Sequence, residues 1–112
     1  MSAFKTGVLT RVTDLREVSL LFEPLVQPGQ MVDVVLTGRD AEPRQLAVEL
    51  TGIRPDPDNA GTSYWLTGLV YDDGRQFEGK FVISIGDLIL VKSDGSIQVG
   101  NEASLVVIKP RR

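Results

Sequence analysis

Eleven glycines and six prolines punctuate the 112 residues so densely that only 8–23 and 101–109 run on without interruption. Glycine gives up backbone entropy inside a helix, and proline removes a donor and clashes with the preceding turn, so helices of ordinary length have almost nowhere to sit. Between the interruptions stand short runs of Val, Ile, Leu, Thr and Phe, the composition of strands. The spacing predicts strands near Gly7–Thr13, Ser19–Phe22, Met31–Thr37, Gln45–Ile53, Ser63–Tyr71, Gln76–Ser84, Asp87–Lys92 and Ala103–Ile108. Alternation is clearest at Gln45 to Ile53, where Leu46, Val48, Leu50 and Gly52 share one face and Ala47, Glu49, Thr51 and Ile53 the other.

Turn chemistry separates these runs at Gln27-Pro28-Gly29, Gly38-Arg39-Asp40, Asp72-Asp73-Gly74 and Ser93-Asp94-Gly95. Asp73-Gly74, between Leu69–Tyr71 and Phe77, is the strongest hairpin signal. The run Val26-Gln27-Pro28-Gly29-Gln30 is echoed at Ile97-Gln98-Val99-Gly100-Asn101, each followed by an apolar strand candidate. That echo implies a duplicated strand-turn-strand unit with Gly29 and Gly100 in equivalent turns. Residues 14–23 read two ways. Asp14 and Glu17 form a capping box for a helix from Leu15 to Glu23, whereas the echo aligns this stretch with the β-branched Ser84–Leu90 and favours a strand.

These features together predict one all-β domain over 1–112: a small antiparallel β-barrel or two-sheet sandwich of about eight strands with an internal repeat. No apolar run approaches the ~20 residues that span a bilayer, and Met1–Lys5 lacks the apolar stretch of a secretory signal. A cytoplasmic or virion-associated protein is expected.

The chain has no histidine and no cysteine, which removes thiol nucleophiles, disulfides, thiolate zinc sites and the usual imidazole base. An enzyme would have to work with carboxylates, Lys, Tyr or Ser alone, so a non-enzymatic module without cofactor or metal is expected. The net charge is −3, and without Lys109, Arg111 and Arg112 it falls to −6, an acidic body that repels phosphate backbones and argues against nucleic acid as partner.

Asp56-Pro57-Asp58-Asn59-Ala60-Gly61 has the acidic spacing of a calcium loop, but Ala60 and Thr67 stand where further oxygen ligands belong. A hairpin tip is the better reading. Tyr64-Trp65 places one aromatic outward at that tip, and core filling is favoured for Trp65 with Tyr64 at the rim. Arg44, Arg54, Arg75 and Lys80 read as separate solvated charges unless a barrel face gathers them. Tyr64, Trp65, Arg54 and Arg75 are therefore the candidate interaction surface. Ser84-Ile85-Gly86-Asp87 reads as a turn between strands.

The order Gly7-Val8, Asp14-Leu15, Leu20-Leu21-Phe22, Pro28-Gly29-Gln30, Val32–Leu36, Ile53-Arg54-Pro55 and Leu66–Tyr71 resembles the PilZ family. Those proteins are six-stranded barrels that bind cyclic di-GMP, so the resemblance implies a barrel. No R-x-x-x-R motif precedes Gly7, and Arg16 and Ser19 stand at the family's serine and glycine positions, so the resemblance implies an adaptor without nucleotide binding. Asp73–Gly79 and Gly86–Leu90 are similar to the strand run of Sm-like ring proteins, whose RNA partner the acidic body disfavours. The functional expectation is a protein-interaction module; the alternative is a structural assembly protein, of a phage or secretion apparatus, that pairs through edge strands. A ligand-binding or enzymatic barrel using carboxylates is the third reading.

Overall fold

The computed structural model describes residues 4–38, 40–101 and 104–111. It contains β1 (Thr10–Arg11), α1 (Leu15–Phe22), a 3₁₀ turn (Glu23–Leu25), β2 (Met31–Gly38), β3 (Arg44–Pro55), β4 (Ser63–Asp72), β5 (Arg75–Ser84), β6 (Leu88–Val91), β7 (Ile97–Gly100) and β8 (Ser104–Pro110). All eight strands join one antiparallel sheet in the order β1-β6-β7-β8-β2-β3-β4-β5.

The all-β expectation holds, but the closed barrel and the two-sheet sandwich do not. Among the described residues the hydrogen-bonded order has two ends, β1 and β5, with no ladder between them, and every strand belongs to the same sheet. This open eight-stranded sheet also removes the PilZ-like barrel expectation. The sheet nevertheless coils. Between Ser84, ending β5, and Leu88, opening β6, the chain covers at most about 14 Å at its extended rise. In sheet order β5 and β6 stand six strand spacings apart, about 29 Å if laid flat. Only a sheet bent round on itself satisfies both distances.

The concave side of that bend holds the core. Val32, Val48, Leu50, Leu66, Ile83, Ile89, Val99 and Ile108, drawn from seven strands, pack into a single cluster with Leu15, Val18 and Phe22 of α1. The helix displaces the strand expected at Ser19–Phe22. The carboxylate of Asp14 accepts a hydrogen bond from the Arg16 N–H at 3.0 Å and caps the first turn. The apolar residues at 15, 18 and 22 then fall on one buried stripe while Leu20 stays 61% exposed. Capping and 3.6-residue periodicity outweigh the echo downstream.

The echo is not a structural repeat. The first copy follows a helix and turns at Gly29, with φ of 78°. The second is strand β7, paired on both sides, and Gly100 lies in ordinary strand backbone. The strand expected at Gly7–Thr13 contracts to β1, because Gly7 takes φ of 80° in a turn and Thr6 makes only a parallel bridge to Val91. Arg39, within the expected turn between β2 and β3, and Ala103, the expected start of the last strand, lie outside the described residues. Asp73-Gly74 does form the β4–β5 hairpin, with φ of 48° and 80° at its two central residues, as a two-residue turn between right-twisted strands requires.

Candidate functional site

The outer face of β3, β4 and β5 gathers the residues of greatest chemical interest. Along β4, Leu66, Gly68 and Val70 are buried on the concave side, so Trp65, Thr67, Leu69 and Tyr71 face out. Trp65 is therefore not the core residue that its size suggested. Its neighbour Tyr64 takes the inner side and packs against the core.

A bulge in β3 decides what stands beside the indole. Leu50 pairs with Gly68, but Gly52 pairs with Thr67, so Thr51 is an extra residue in the ladder. Beyond it the alternation inverts: Ile53 turns into the core and Arg54 turns out, opposite Trp65. The expected grouping of Gly52 with Leu46, Val48 and Leu50 ends here. Thr51 Oγ1 lies 3.2 Å from Thr67 Oγ1, and Thr67 Oγ1 donates to the Gly52 carbonyl at 3.3 Å, which ties the bulge down.

Trp65 then carries two cations. The Arg54 guanidinium carbon lies 5.2 Å from the ring centroid and the Lys80 ammonium 3.7 Å, both within cation–π range. Val82 lies directly across from Trp65 on β5 and is 38% exposed. Of the sequence candidates, the structure brings Trp65 and Arg54 together and leaves two out. Tyr64 is on the other face. Arg75 lies seven residues along β5 from Val82, about 24 Å at strand rise, and pairs across from Asp72. Asp72 also forms an ion pair with Arg44.

Lys80 was legible only as a solvated charge, although the signal that places it is local. A two-residue turn at Asp73-Gly74 pairs Asp72 with Arg75, and counting outward from there sets Thr67 opposite Lys80 and Trp65 opposite Val82.

β5 itself is the second component of the site. It is a ten-residue edge strand whose only ladder among the described residues is with β4. Phe77 on this strand is 47% exposed and sits at an apolar cavity of about 220 Å³ inside the coiled sheet. Gly68 and Gly79, which face each other across β4 and β5, are among the residues that line it.

The acidic tip between β3 and β4 is a hairpin loop. Asp56 is buried, and its carboxylate accepts the Asp58 N–H at 2.8 Å, while Thr62 and Ser63 donate to the Asn59 carbonyl at 3.0 and 2.9 Å. Among the described residues no group of three or more acidic, histidine or cysteine side chains is placed to hold a metal. No helix among them is long and apolar enough to cross a membrane. Comparison with known proteins finds no matching family model, no matching curated protein and no matching solved structure.

Proposed function

We propose that this chain is a non-enzymatic protein-interaction module that engages another polypeptide through the β5 edge and the adjoining outer face of Trp65, Arg54, Lys80 and Val82. The observation that carries this reading is the ten-residue edge strand with a ladder on one side only among the described residues. Such an edge offers a row of backbone donors and acceptors to an added strand, and that addition supplies affinity while flanking side chains supply selectivity. Trp65, with Arg54 and Lys80 over its ring, gives the flank an aromatic surface that carries two positive charges and suits a carboxylate-bearing neighbour. The absence of histidine and cysteine leaves few side chains for acid–base or nucleophilic work, which also favours binding over catalysis.

The test is photo-crosslinking in the expressing cell, with a photoreactive side chain at position 82 and, as a control, at position 98 on β7, which is paired on both sides. Crosslinks to a polypeptide from position 82 and not from position 98 are expected. Equal yields from the two positions, or none from position 82, would overturn the reading.

A further inference from the structure

The backbone of β5 specifies which groups it offers. Ile85, immediately after the strand, donates its N–H to the Thr62 carbonyl at 2.9 Å. In an antiparallel ladder hydrogen-bonded pairs alternate, so the odd-numbered residues of β5 bond to β4 and the even-numbered ones turn their N–H and C=O away from it. Ser84 agrees, because its N–H faces outward and donates to the Asp87 carboxylate at 3.0 Å, closing that end of the edge. Among the described residues Gln76, Glu78, Lys80 and Val82 remain as the open rungs.

A twofold pairing of β5 with itself must therefore set even residues opposite even residues. Three registers use most of the strand. Centred on Glu78, it sets Glu78 against its own copy; centred on Lys80, it sets lysine against lysine; both place like charges directly opposite, which destabilises a sheet. Centred on Gly79, it sets Glu78 opposite Lys80 of the second copy and Lys80 opposite Glu78, with Gln76 and Val82 completing the rungs. About eight backbone hydrogen bonds form in that register, two for each hydrogen-bonded pair. On the concave face the same register sets Phe77 opposite Phe81 twice, and Gly79 meets Gly79 where the backbones approach most closely. Phe77, 47% exposed in the single chain, gains an aromatic neighbour.

We propose that the protein forms a twofold dimer by antiparallel pairing of β5 with β5 of a second copy, centred on Gly79, so that one sheet runs through both chains. Charged residues on an edge normally prevent pairing. Here the alternation of sign along Glu78 and Lys80 blocks the neighbouring registers and admits this one. The inference rests on β5 being the docking edge, and it names the partner as a second copy of the chain.

The test is sedimentation equilibrium on the full chain and on E78K, K80E, their equimolar mixture and the double variant E78K/K80E, with circular dichroism confirming that each folds. The wild type is expected at twice the 12.2 kDa of one chain. Each single reversal replaces two opposite-charge contacts by two like-charge ones and is expected to weaken the dimer about tenfold or more. The mixture pairs the new lysine with the new glutamate and the two native residues with each other, so it is expected to recover most of the lost affinity, as is the double variant. K80E also removes a cation from Trp65, but the double variant shares that loss and isolates the pairing.

A wild type that stays monomeric at about 100 µM, far above the dissociation constant of a specific contact, would overturn the proposal. Single reversals without effect, or a mixture that does not recover, would overturn it equally. Should the chain be monomeric while position 82 still crosslinks to another polypeptide, the self-pairing falls and the docking edge stands.

Discussion

β1 contributes two residues to one rim of the sheet, and β5 contributes ten to the other. The β1 rim is tied into the structure around it. Val12, just beyond β1, donates to the Asp87 carbonyl at 2.7 Å and accepts from the Gly86 N–H at 2.9 Å, so the turn that leaves β5 closes over β1. Gly7 donates to the Val91 carbonyl at 2.7 Å and seals the next stretch. Nothing comparable covers β5 between Arg75 and Val82 among the described residues. The contrast teaches that openness at β5 is specific to that edge: the chain blunts β1 by shortness and cross-bonds, and it guards β5 only with charges of alternating sign.

The strongest way to break this comparison is to truncate one apolar side chain on each flank. Ile89 lies on β6, opposite Thr10 of β1, and is fully buried. Ile89→Ala is expected to cost about 2–5 kcal/mol, the range for deleting a large buried aliphatic side chain. Phe77→Ala, on the open edge and half exposed, is expected to cost less than about 1 kcal/mol in the monomer. Urea unfolding at a concentration that keeps the chain monomeric measures both. Comparable losses at the two sites would mean that the β5 edge is as buried as the β1 side.

A second pair of substitutions sharpens the contrast between interior and edge. A Cβ on Gly68 would meet the Glu49 carbonyl oxygen at 2.9 Å and Val48 Cγ1 at 2.6 Å. The carbonyl belongs to β3, which is paired on both sides and cannot retreat, so Gly68→Ala is expected to cost about 1–3 kcal/mol. A Cβ on Gly79 would meet only Val70 Cγ2, at 2.9 Å. A side chain can turn, and an edge strand can shift, so Gly79→Ala is expected to cost less than about 1 kcal/mol in the monomer. Equal costs from the same urea titrations would show β5 held as firmly as β4.

Much of this architecture was legible because it depends on neighbours in the chain. Val, Ile and Thr between glycines and prolines announced the long strands, and Asp73-Gly74 announced the hairpin that sets the β4–β5 register. The capping box at Asp14 and Glu17 was legible too, but a chance echo of apolar residues argued against it. What could not be read depends on distant residues. Whether a sheet of eight strands closes is decided by whether its first and last strands meet, and here Val12 meets the turn after β5 instead of β5 itself. The placement of Arg54 beside Trp65 turns on one inserted residue, Thr51, which carries no signature in its type. Without that bulge Arg54 would point into the core and the cation pair on the indole would not exist.

The smallest expected effect lies at the seam where the two flanks join, between β2 and β8. Arg111 donates from Nε at 3.1 Å and from Nη2 at 2.7 Å to the Asp33 carboxylate. These hydrogen bonds, with a smaller attraction from the charges of Arg111 and Lys109, hold the Asp33 carboxyl below the ordinary aspartate range against a modest opposing effect of burial. A carboxyl depressed on folding stabilises the folded chain above its unfolded value, about 4, and that contribution disappears as the pH falls through the lower folded value. From pH 7 to pH 5 this pair should therefore leave stability unchanged, with the loss confined below about pH 4. Asp14, held down by Arg16, and Asp94, held down by the Ser96 hydroxyl and N–H, act in the same direction and add to the acid sensitivity. Arg111→Met isolates the contribution of the seam. Its stability is expected to fall slightly short of the wild type at pH 7 and pH 5, with the gap narrowing at pH 3, because the Asp14 and Asp94 contributions decline alike in both proteins. Urea titrations at the three pH values measure this, and a gap that persists unchanged at pH 3 would mean that Arg111 supports the β2–β8 seam by packing and not through the Asp33 charge.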